Sequence, residues 1–211
     1  MAGFETVGWA YDLFMDVVES VGLGMWRTVL TRRARGRVLD LGCGTGRSLG
    51  LLVRADTVFG VDPSLSMLVR ARRRSPAVPL VAARAEELPF ADHAFDTVVS
   101  ALVFCSVDRP RVALGEIRRV LAPDGSLRMM EHVRSSHPWV AWLQDAAQPT
   151  WTWVSGGCHP NRPTEETVER AGFRIQPFGR RSRRSMRLFV ARPSAQPSTS
   201  TGPEPPGNDV A

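Results

Sequence analysis

The chain has 211 residues, of which 43% are hydrophobic and three are cysteine, and its formal net charge is +6 at pH 7. This length and composition fit one globular domain, and they argue against a disordered chain or a disulfide-bonded secreted protein. No apolar run approaches the ~20 residues of a membrane span, and the N-terminus lacks a signal-peptide layout, so we expect a cytoplasmic protein with at most peripheral membrane contact.

Secondary structure is predicted from the spacing of apolar residues. The first 35 residues predict two helical pieces separated near Gly22 and Gly24. Strands are then predicted at Arg37–Leu41, Thr57–Val61, Pro79–Ala83, Phe95–Ser100, Ser126–Val133, Phe173–Phe178 and Arg187–Ala191. Helices are predicted at Thr45–Arg54, Pro63–Arg74, Arg109–Leu121 and Pro163–Ala171. Short apolar strands that alternate with amphipathic helices indicate an α/β protein whose parallel sheet is covered on both faces.

Two stretches depart from this alternation. Residues 135–162 predict an insertion over the edge of the sheet, whose tryptophans form either a lid or, as the alternative, ordinary core or a dimer face. Its tryptophans are Trp139, Trp142, Trp151 and Trp153. Residues 193–211 consist mainly of Pro, Ser, Thr and Gly, which predicts a disordered tail, because such a segment has almost no apolar surface to bury. The domain is therefore expected to comprise residues 1–192, with the N-terminal helices in residues 1–35.

A glycine-rich segment follows the first predicted strand and reads Val38-Leu-Asp-Leu-Gly-Cys-Gly-Thr-Gly46. Glycine allows a tight turn and a close approach of the backbone to a ligand. Asp62 ends the second predicted strand, where an acidic residue can accept hydrogen bonds from both ribose hydroxyls of a nucleoside. Both features lie at the carboxyl ends of strands, where α/β sheets bind their ligands.

The spacing of the glycines bears on which nucleoside is bound. A dinucleotide fingerprint needs a small third residue, but this position is Arg47. Asp40 precedes the loop, and its carboxylate would repel a pyrophosphate but can hold the ammonium group of a methionine moiety, directly or through water. The loop alone leaves a generic nucleotide-binding fold open.

Further motifs follow the loop in a fixed order. They are Gly60-Val-Asp-Pro-Ser-Leu-Ser-Met67, Arg84-Ala-Glu-Glu-Leu-Pro-Phe90, Phe95-Asp-Thr-Val-Val-Ser100 and Glu116-Ile-Arg-Arg-Val-Leu-Ala-Pro-Asp-Gly125. Over residues 9–175 the series resembles class I S-adenosylmethionine-dependent methyltransferases. Tyr11-Asp-Leu-Phe14 is similar to the opening helix of the ubiquinone/menaquinone C-methyltransferases, whereas Glu131-His-Val133 and the Trp-rich run look more like the thiol S-methyltransferase-like relatives.

The resemblance implies both a fold and a cofactor site. The fold is a Rossmann-like, doubly wound, mostly parallel seven-stranded sheet with helices on both faces and an antiparallel last strand. The cofactor is S-adenosyl-L-methionine. Its expected binding residues are Asp40, Gly42, Cys43, Gly44, Thr45, Asp62, Pro63, Met67, Arg84, Ala85, Glu86 and Ala101. The glycine loop is expected to contact the methionine part, Asp62 the ribose, and Met67 with Arg84–Glu86 the adenine.

Candidate catalytic residues are few, because a sulfonium is already an activated methyl donor. The protein then contributes positioning, exclusion of water and removal of a proton from the acceptor. His132 and His159 are the candidate bases, since histidine titrates near neutral pH, and a structural role is the alternative for each. We expect no metal site, because no paired Cys-x-x-Cys is present.

The acceptor is expected to be small and hydrophobic: a thiol, a phenol or a quinol-like compound. An RNA or DNA methyltransferase is the first alternative, because arginines cluster at residues 70–74 and 180–187. However, the Trp-rich stretch has no arginine between Arg134 and Arg162, which argues against a nucleic-acid groove there. A non-catalytic S-adenosylmethionine-binding protein is the second alternative. The oligomeric state is left open.

Overall fold

The computed structural model describes residue 16 and residues 19–135, 137–154, 159, 161–183 and 186–194. Most of the first predicted helical piece, Cys158 and residues 195–211 of the predicted tail lie outside these ranges. A π-helical turn at Glu19–Leu23 leads into the first α-helix, and Gly22, whose φ is 125°, breaks the helical backbone where the sequence predicts a break.

The elements alternate along the chain as the apolar pattern predicts. The α-helices are α1 (Gly24–Thr31), α2 (Leu65–Arg74), α3 (Pro110–Val120), α4 (Pro138–Val154) and α5 (Thr164–Arg170). The strands are β1 (Gly36–Leu41), β2 (Ala55–Asp62), β3 (Leu80–Ala82), β4 (Phe95–Ala101), β5 (Leu121–His132), β6 (Phe173–Ile175), β7 (Arg181–Arg183) and β8 (Met186–Pro193).

The strands form one sheet in the order β3-β2-β1-β4-β5-β8-β6, and β7 pairs with β8 beside this path. Strands β1 to β5 are parallel, and β8 runs antiparallel to its neighbours. The chain moves outward from β1 to β3 and then returns to β4, so the switch point lies between β1 and β4. The predicted Rossmann-like, doubly wound fold with an antiparallel last strand is thus confirmed, with one additional short strand, β7.

Alternating residues of the strands pack on opposite faces of the sheet. Leu39 and Val98 belong to a core cluster with Leu114 of α3, whereas Val38 and Val99 belong to one with Leu30 of α1. Helix α3 is amphipathic, and its buried residues are Ala113, Leu114, Ile117 and Val120. Because both faces of β1 and β4 are buried, each strand contains adjacent apolar residues, Val38–Leu39 and Val98–Val99, instead of a strict alternation of apolar and polar residues.

The helix predicted at Thr45–Arg54 is wrong. Only a single 3₁₀ turn, Leu49–Leu51, forms there. The segment contains Gly46, whose φ of +83° is not helical, and Gly50. Glycine in a helix costs about 1 kcal/mol relative to alanine. The two glycines therefore weaken the helical preference of this segment, and the turn at Gly46 forms instead.

Helix α4 occupies most of the predicted lid segment. Trp139 and Trp142 are 68% and 67% exposed, and with Leu143 they form an apolar stripe on its solvent side. Gln144 lies on the inner side, where its side chain accepts a hydrogen bond from the Ser135 N–H (2.7 Å). In this structure the two tryptophans do not line a closed pocket, and a lid function stays a prediction. The side chains of the other two tryptophans of the lid segment lie outside the described residues.

The end of the sheet lies beyond residue 192, the predicted last residue of the domain. Strand β8 continues to Pro193, and the Ser194 N–H donates to the carbonyl of Gly172 (2.8 Å). Arg118 in turn donates to the carbonyl of Ser194 (3.1 Å). Pro193 and Ser194 therefore belong to the packed part of the chain. Among the described residues, no helix has both the length and the apolarity that crossing a bilayer requires.

Candidate cofactor-binding site

The glycine loop, residues 42–46, follows β1 at the switch point of the sheet. The Cys43 N–H donates to the carbonyl of Val61 on β2 (2.9 Å), and the Gly46 N–H donates to the carbonyl of Cys43 (2.9 Å). Gly42, Gly44 and Gly46 all have positive φ, at 62°, 53° and 83°. Since such backbone angles are strained for other residues, the loop depends on glycine at these positions.

Gly42 and Gly44 have different surroundings. A Cβ added to Gly42 would lie 2.5 Å from Cγ2 of Val103, so this glycine is required by packing within the protein. A Cβ added to Gly44 would meet no heavy atom within 4 Å. Gly44 therefore faces open space at the carboxyl edge of the sheet, where a bound ligand can approach the backbone.

Asp62 lies at the end of β2 and is buried. Its carboxylate accepts hydrogen bonds from the N–H groups of Gly44 (2.9 Å) and Ser64 (2.9 Å). A carboxylate has about four acceptor positions, so one such group can accept hydrogen bonds from more than two donors. Asp62 thus also holds the glycine loop in place, a second role that the sequence alone does not indicate.

Asp40 is 1% exposed, and its Oδ2 atom has no hydrogen-bond partner among the described residues. Burial raises the pKa of Asp40 to about 7; the charge of Arg27 opposes this shift and the charge of Asp62 adds to it. A buried carboxylate oxygen without a donor is unfavourable. A positively charged group bound beside it would remove this cost, so the site fits the ammonium group of S-adenosylmethionine.

The raised pKa predicts that cofactor binding depends on pH. Because the pKa of Asp40 is raised in the folded state, protonation of Asp40 stabilises the folded protein without cofactor. This stabilisation is fully present below pH 3.8, the pKa of the group in the unfolded chain, and is lost as the pH rises through about 7. A bound ammonium favours the carboxylate instead. We therefore expect calorimetry with S-adenosylhomocysteine to show proton release near pH 7 and an affinity that falls by up to about tenfold per unit below it.

The isosteric variant Asp40→Asn is the control for this prediction. It cannot titrate, and its affinity should change much less between pH 8 and pH 5.5. An equal pH dependence in the variant and in the wild-type protein would show that another group is responsible.

The Cys43 thiol is unsuited to act as a nucleophile. Burial, with the charges of Asp40 and Asp62, raises the pKa of the Cys43 thiol, so it stays protonated at neutral pH. Among the described residues, no group of three or more histidine, cysteine, aspartate or glutamate side chains is arranged to hold a metal ion.

The residues expected at the adenine lie on the β3 side of the sheet. Glu86 is buried, and its side chain accepts a hydrogen bond (3.1 Å) from the backbone N–H of Arg109, a residue that follows β4 in the chain. Arg84 is about half exposed and pairs with Asp108 (2.6 Å). Met67 is buried on α2. Pro63 is exposed, whereas Ala85 and Ala101 are partly buried. The contacts of Met67 and Arg84–Glu86 with adenine stay predictions, as do those of Pro63 and Ala101 with other parts of the cofactor.

One candidate base ends a strand, and the other comes after α4 and contacts the loop that follows β4. His132 ends β5, and burial lowers its pKa below 6.5, so it is neutral at pH 7 and can accept a proton. The Nδ1 atom of the His159 ring lies 3.3 Å from the carbonyl oxygen of Cys105, and the backbone N–H of His159 donates a hydrogen bond to the same oxygen (2.6 Å). His159 is thus bound to the loop that follows β4.

Two arginines near the glycine loop were not assigned to the site by the sequence. Arg27 of α1 is buried, pairs with Glu19 (2.9 Å) and donates to the Ser48 hydroxyl (2.9 Å). Arg47, which breaks the dinucleotide pattern, pairs with Asp16 (2.8 Å) and Glu19 (3.4 Å). The sequence gives no signal for these pairs, because they depend on how Asp16 and Glu19 pack against the segment after the glycine loop.

A cavity of about 290 Å³ lies beyond the end of β5 and includes none of the predicted cofactor residues. It is lined by Val133, Arg134, Ser135, Pro163, Thr164, Glu165, Glu166 and Arg187. Because the motifs place cofactor binding at the glycine loop, this cavity is not assigned to the cofactor.

Known proteins match this chain over the segment that contains the glycine loop. Residues 39–129 match the family model described as a methyltransferase domain. Thiol S-methyltransferase TMT1B of Rattus norvegicus is 36% identical over 144 residues, covering 64% of this chain and 59% of that protein. Demethylmenaquinone methyltransferase of Renibacterium salmoninarum is 36% identical over 142 residues, covering 65% and 59%. This chain therefore spans about three fifths of the length of these relatives.

Solved structures agree on the fold. The crystal structure of an S-adenosylmethionine-dependent methyltransferase from Thermotoga maritima has a TM-score of 0.72 to this chain, covers 90% of it and 97% of its own length, and is 22% identical. The matched segment, residues 39–129, contains the glycine loop and most of the ordered motifs, and it lies within the sheet that these solved structures share. Residues 39–129 therefore match a methyltransferase domain, and the fold of the chain is that of this solved S-adenosylmethionine-dependent methyltransferase.

Proposed function

We propose that this protein transfers the methyl group of S-adenosylmethionine to a small hydrophobic acceptor of the thiol, phenol or quinol class. The observation that carries the proposal is the open space over Gly44, beside the unpartnered carboxylate oxygen of Asp40. An open glycine next to a buried acid fits the methionine part of the cofactor, and the reactive sulfonium belongs to that part.

The bound cofactor supplies a methyl group that is already activated for in-line attack. The chain contributes binding and orientation through Asp40, Asp62 and the glycine loop. His132, neutral at pH 7, can accept the proton of a phenol or quinol at the end of β5. A thiol depends less on such a base, because its thiolate forms more readily.

Two observations favour a small apolar acceptor. The relatives are named as methyltransferases of thiols and of demethylmenaquinone. In addition, α4 presents an apolar stripe and contains one charged residue, Asp145. We infer that α4 moves over the acceptor as a lid when the site is filled, which would exclude water from the sulfonium.

One observation favours a nucleic-acid substrate instead. All three residues of β7, including Arg181 and Arg183, are exposed, and this strand pairs with β8 next to β5. Exposed arginines suit a phosphate backbone. This candidate ranks second, because no aromatic residue is interleaved with the arginines of this strand.

The acceptor is tested by measuring methyl transfer from labelled S-adenosylmethionine to alkyl thiols, phenols, quinols and bulk RNA side by side. We expect transfer to a small apolar acceptor, and we expect Trp142→Ala to raise its Michaelis constant by about tenfold, the scale of losing a buried aromatic contact. His132→Ala should lower kcat more for a phenol or quinol than for a thiol. Cofactor affinity should remain nearly unchanged in both variants.

Phe178→Ala is the matched control, because Phe178 is 84% exposed and lies in the connection between β6 and β7, outside the lid segment. Transfer to RNA alone, without an effect of Trp142→Ala, would contradict the lid and support the second candidate. Cofactor binding without transfer to any acceptor would support a non-catalytic binding protein.

A further inference from the structure

The loop that follows β4 has a backbone conformation that must be held in place. We call residues 102–107 the β4 loop. Its first residue, Leu102, has a φ of 61°, and its N–H donates to the carbonyl of Met130 on β5 (2.8 Å). A left-handed conformation at a branched, non-glycine residue costs free energy, so it persists only where surrounding contacts over-determine it.

Glu131 of β5 holds the N–H groups of this loop. Its side chain is fully buried, and Oε1 accepts hydrogen bonds from the N–H groups of Val103 (3.1 Å) and Phe104 (3.2 Å). The same oxygen accepts a hydrogen bond from the Ser100 hydroxyl (3.0 Å). A buried carboxylate needs such donors, and in return it fixes the direction in which the chain leaves β4.

Arg162 holds the carbonyl groups of the same loop. Its Nη1 donates to the carbonyls of Phe104 (2.7 Å) and Val107 (2.6 Å). The carbonyl of Arg162 accepts a hydrogen bond from the backbone N–H of Arg134 (3.2 Å), so Arg162, which follows α4, also binds the segment that precedes α4. The segment that returns from α4 is therefore bound directly to the β4 loop.

The β4 loop in turn rests on the glycine loop. The side chain of Val103 fills the space that a Cβ on Gly42 would need, and Gly42 is two residues from the open Gly44. Atoms packed this closely do not move independently. Contacts thus run without a break from Arg162 and Glu131 through Val103 to the backbone that faces the cofactor.

We propose that Glu131 and Arg162 are positioning residues, which hold the β4 loop against the glycine loop and couple the segment after α4 to cofactor binding. The proposal rests on the proposed function, because it takes the glycine loop as the cofactor site. Coupling between two sites is reciprocal, so acceptor binding under α4 should also tighten cofactor binding.

The experiment measures the dissociation constant of S-adenosylhomocysteine by calorimetry for Arg162→Ala, Glu131→Ala and Glu131→Gln. We expect both alanine variants to weaken binding by about tenfold, the scale of losing hydrogen bonds to a charged group. Glu131→Gln keeps one acceptor oxygen and should recover part of the loss. It also keeps the buried volume, so it tests the role of Glu131 if Glu131→Ala does not fold.

Arg134→Ala is the matched control. It removes an exposed ion pair with Asp145 of α4 (2.8 Å), while the backbone contact with Arg162 stays. Cofactor affinity should be unchanged in this variant. A purely structural role for Arg162 predicts a lower melting temperature with unchanged affinity, and affinities within about twofold of wild type in all three test variants would overturn the proposal.

Hydrogen exchange separates this proposal from the proposed function. In the protein without cofactor, Arg162→Ala and Glu131→Gln should speed the exchange of amides in residues 102–107 and in the glycine loop. If the wild-type protein binds no S-adenosylhomocysteine, the proposed function fails. Unchanged exchange in both segments would overturn the coupling whether or not the cofactor binds.

Discussion

Replacing Gly44 by valine is expected to weaken the binding of S-adenosylhomocysteine by at least about 100-fold, or ~2.7 kcal/mol. The added side chain meets no protein atom near its Cβ and would therefore fill the space that the ligand needs. The positive φ of Gly44 (53°) adds a strain of about 1–2 kcal/mol to the folded state, which lowers the melting temperature but leaves the protein folded. Calorimetry and thermal melts measure the two effects.

Gly50→Val is the matched control for this substitution. Gly50 lies in the 3₁₀ turn, a Cβ there also meets nothing within 4 Å, and its φ is not positive. The control should bind the ligand with wild-type affinity. Wild-type affinity in Gly44→Val would instead show that the cofactor does not lie over this glycine.

Replacing Asp62 by alanine is expected to weaken cofactor binding by about 1.5–3 kcal/mol, the scale of hydrogen bonds to a charged group. The structure gives two reasons for the loss. The ribose would lose its acceptor, and the N–H groups of Gly44 and Ser64 lose the carboxylate that positions them. Unlike a pure ligand contact, this change should also lower the free energy of unfolding, because two partly buried donors lose their acceptor.

Asp62→Asn separates these two effects, because its amide oxygen can still accept one hydrogen bond while the charge is lost. We expect an affinity between those of the wild-type protein and Asp62→Ala. Asp56→Ala, an exposed acid on the same strand, should change neither affinity nor stability. Wild-type affinity in Asp62→Ala would remove this residue from the site.

The prediction for the segment after the glycine loop failed for a physical reason. Apolar spacing over residues 45–54 favours a helix, but the turn at Gly46 and the ion pairs of Arg47 with Asp16 and Glu19 hold this segment in a non-helical conformation. Tertiary contacts commonly override a weak local preference. Strand β7 was missed for a related reason: its three residues are exposed, so no burial pattern marks them.

The sequence by itself determined most of the strands and helices along the chain, the glycine loop and the acid that ends β2. These features are local, because an apolar run gives a strand, and glycines with an acid at strand ends give a nucleoside site. Only the tertiary structure decided which distant groups meet. Arg27 lies near Asp40 and contributes to its pKa, and Glu131 and Arg162 hold the β4 loop. Arg162 is 58 residues from Phe104, and such a pair is set by how the helices dock on the sheet, which local spacing does not encode.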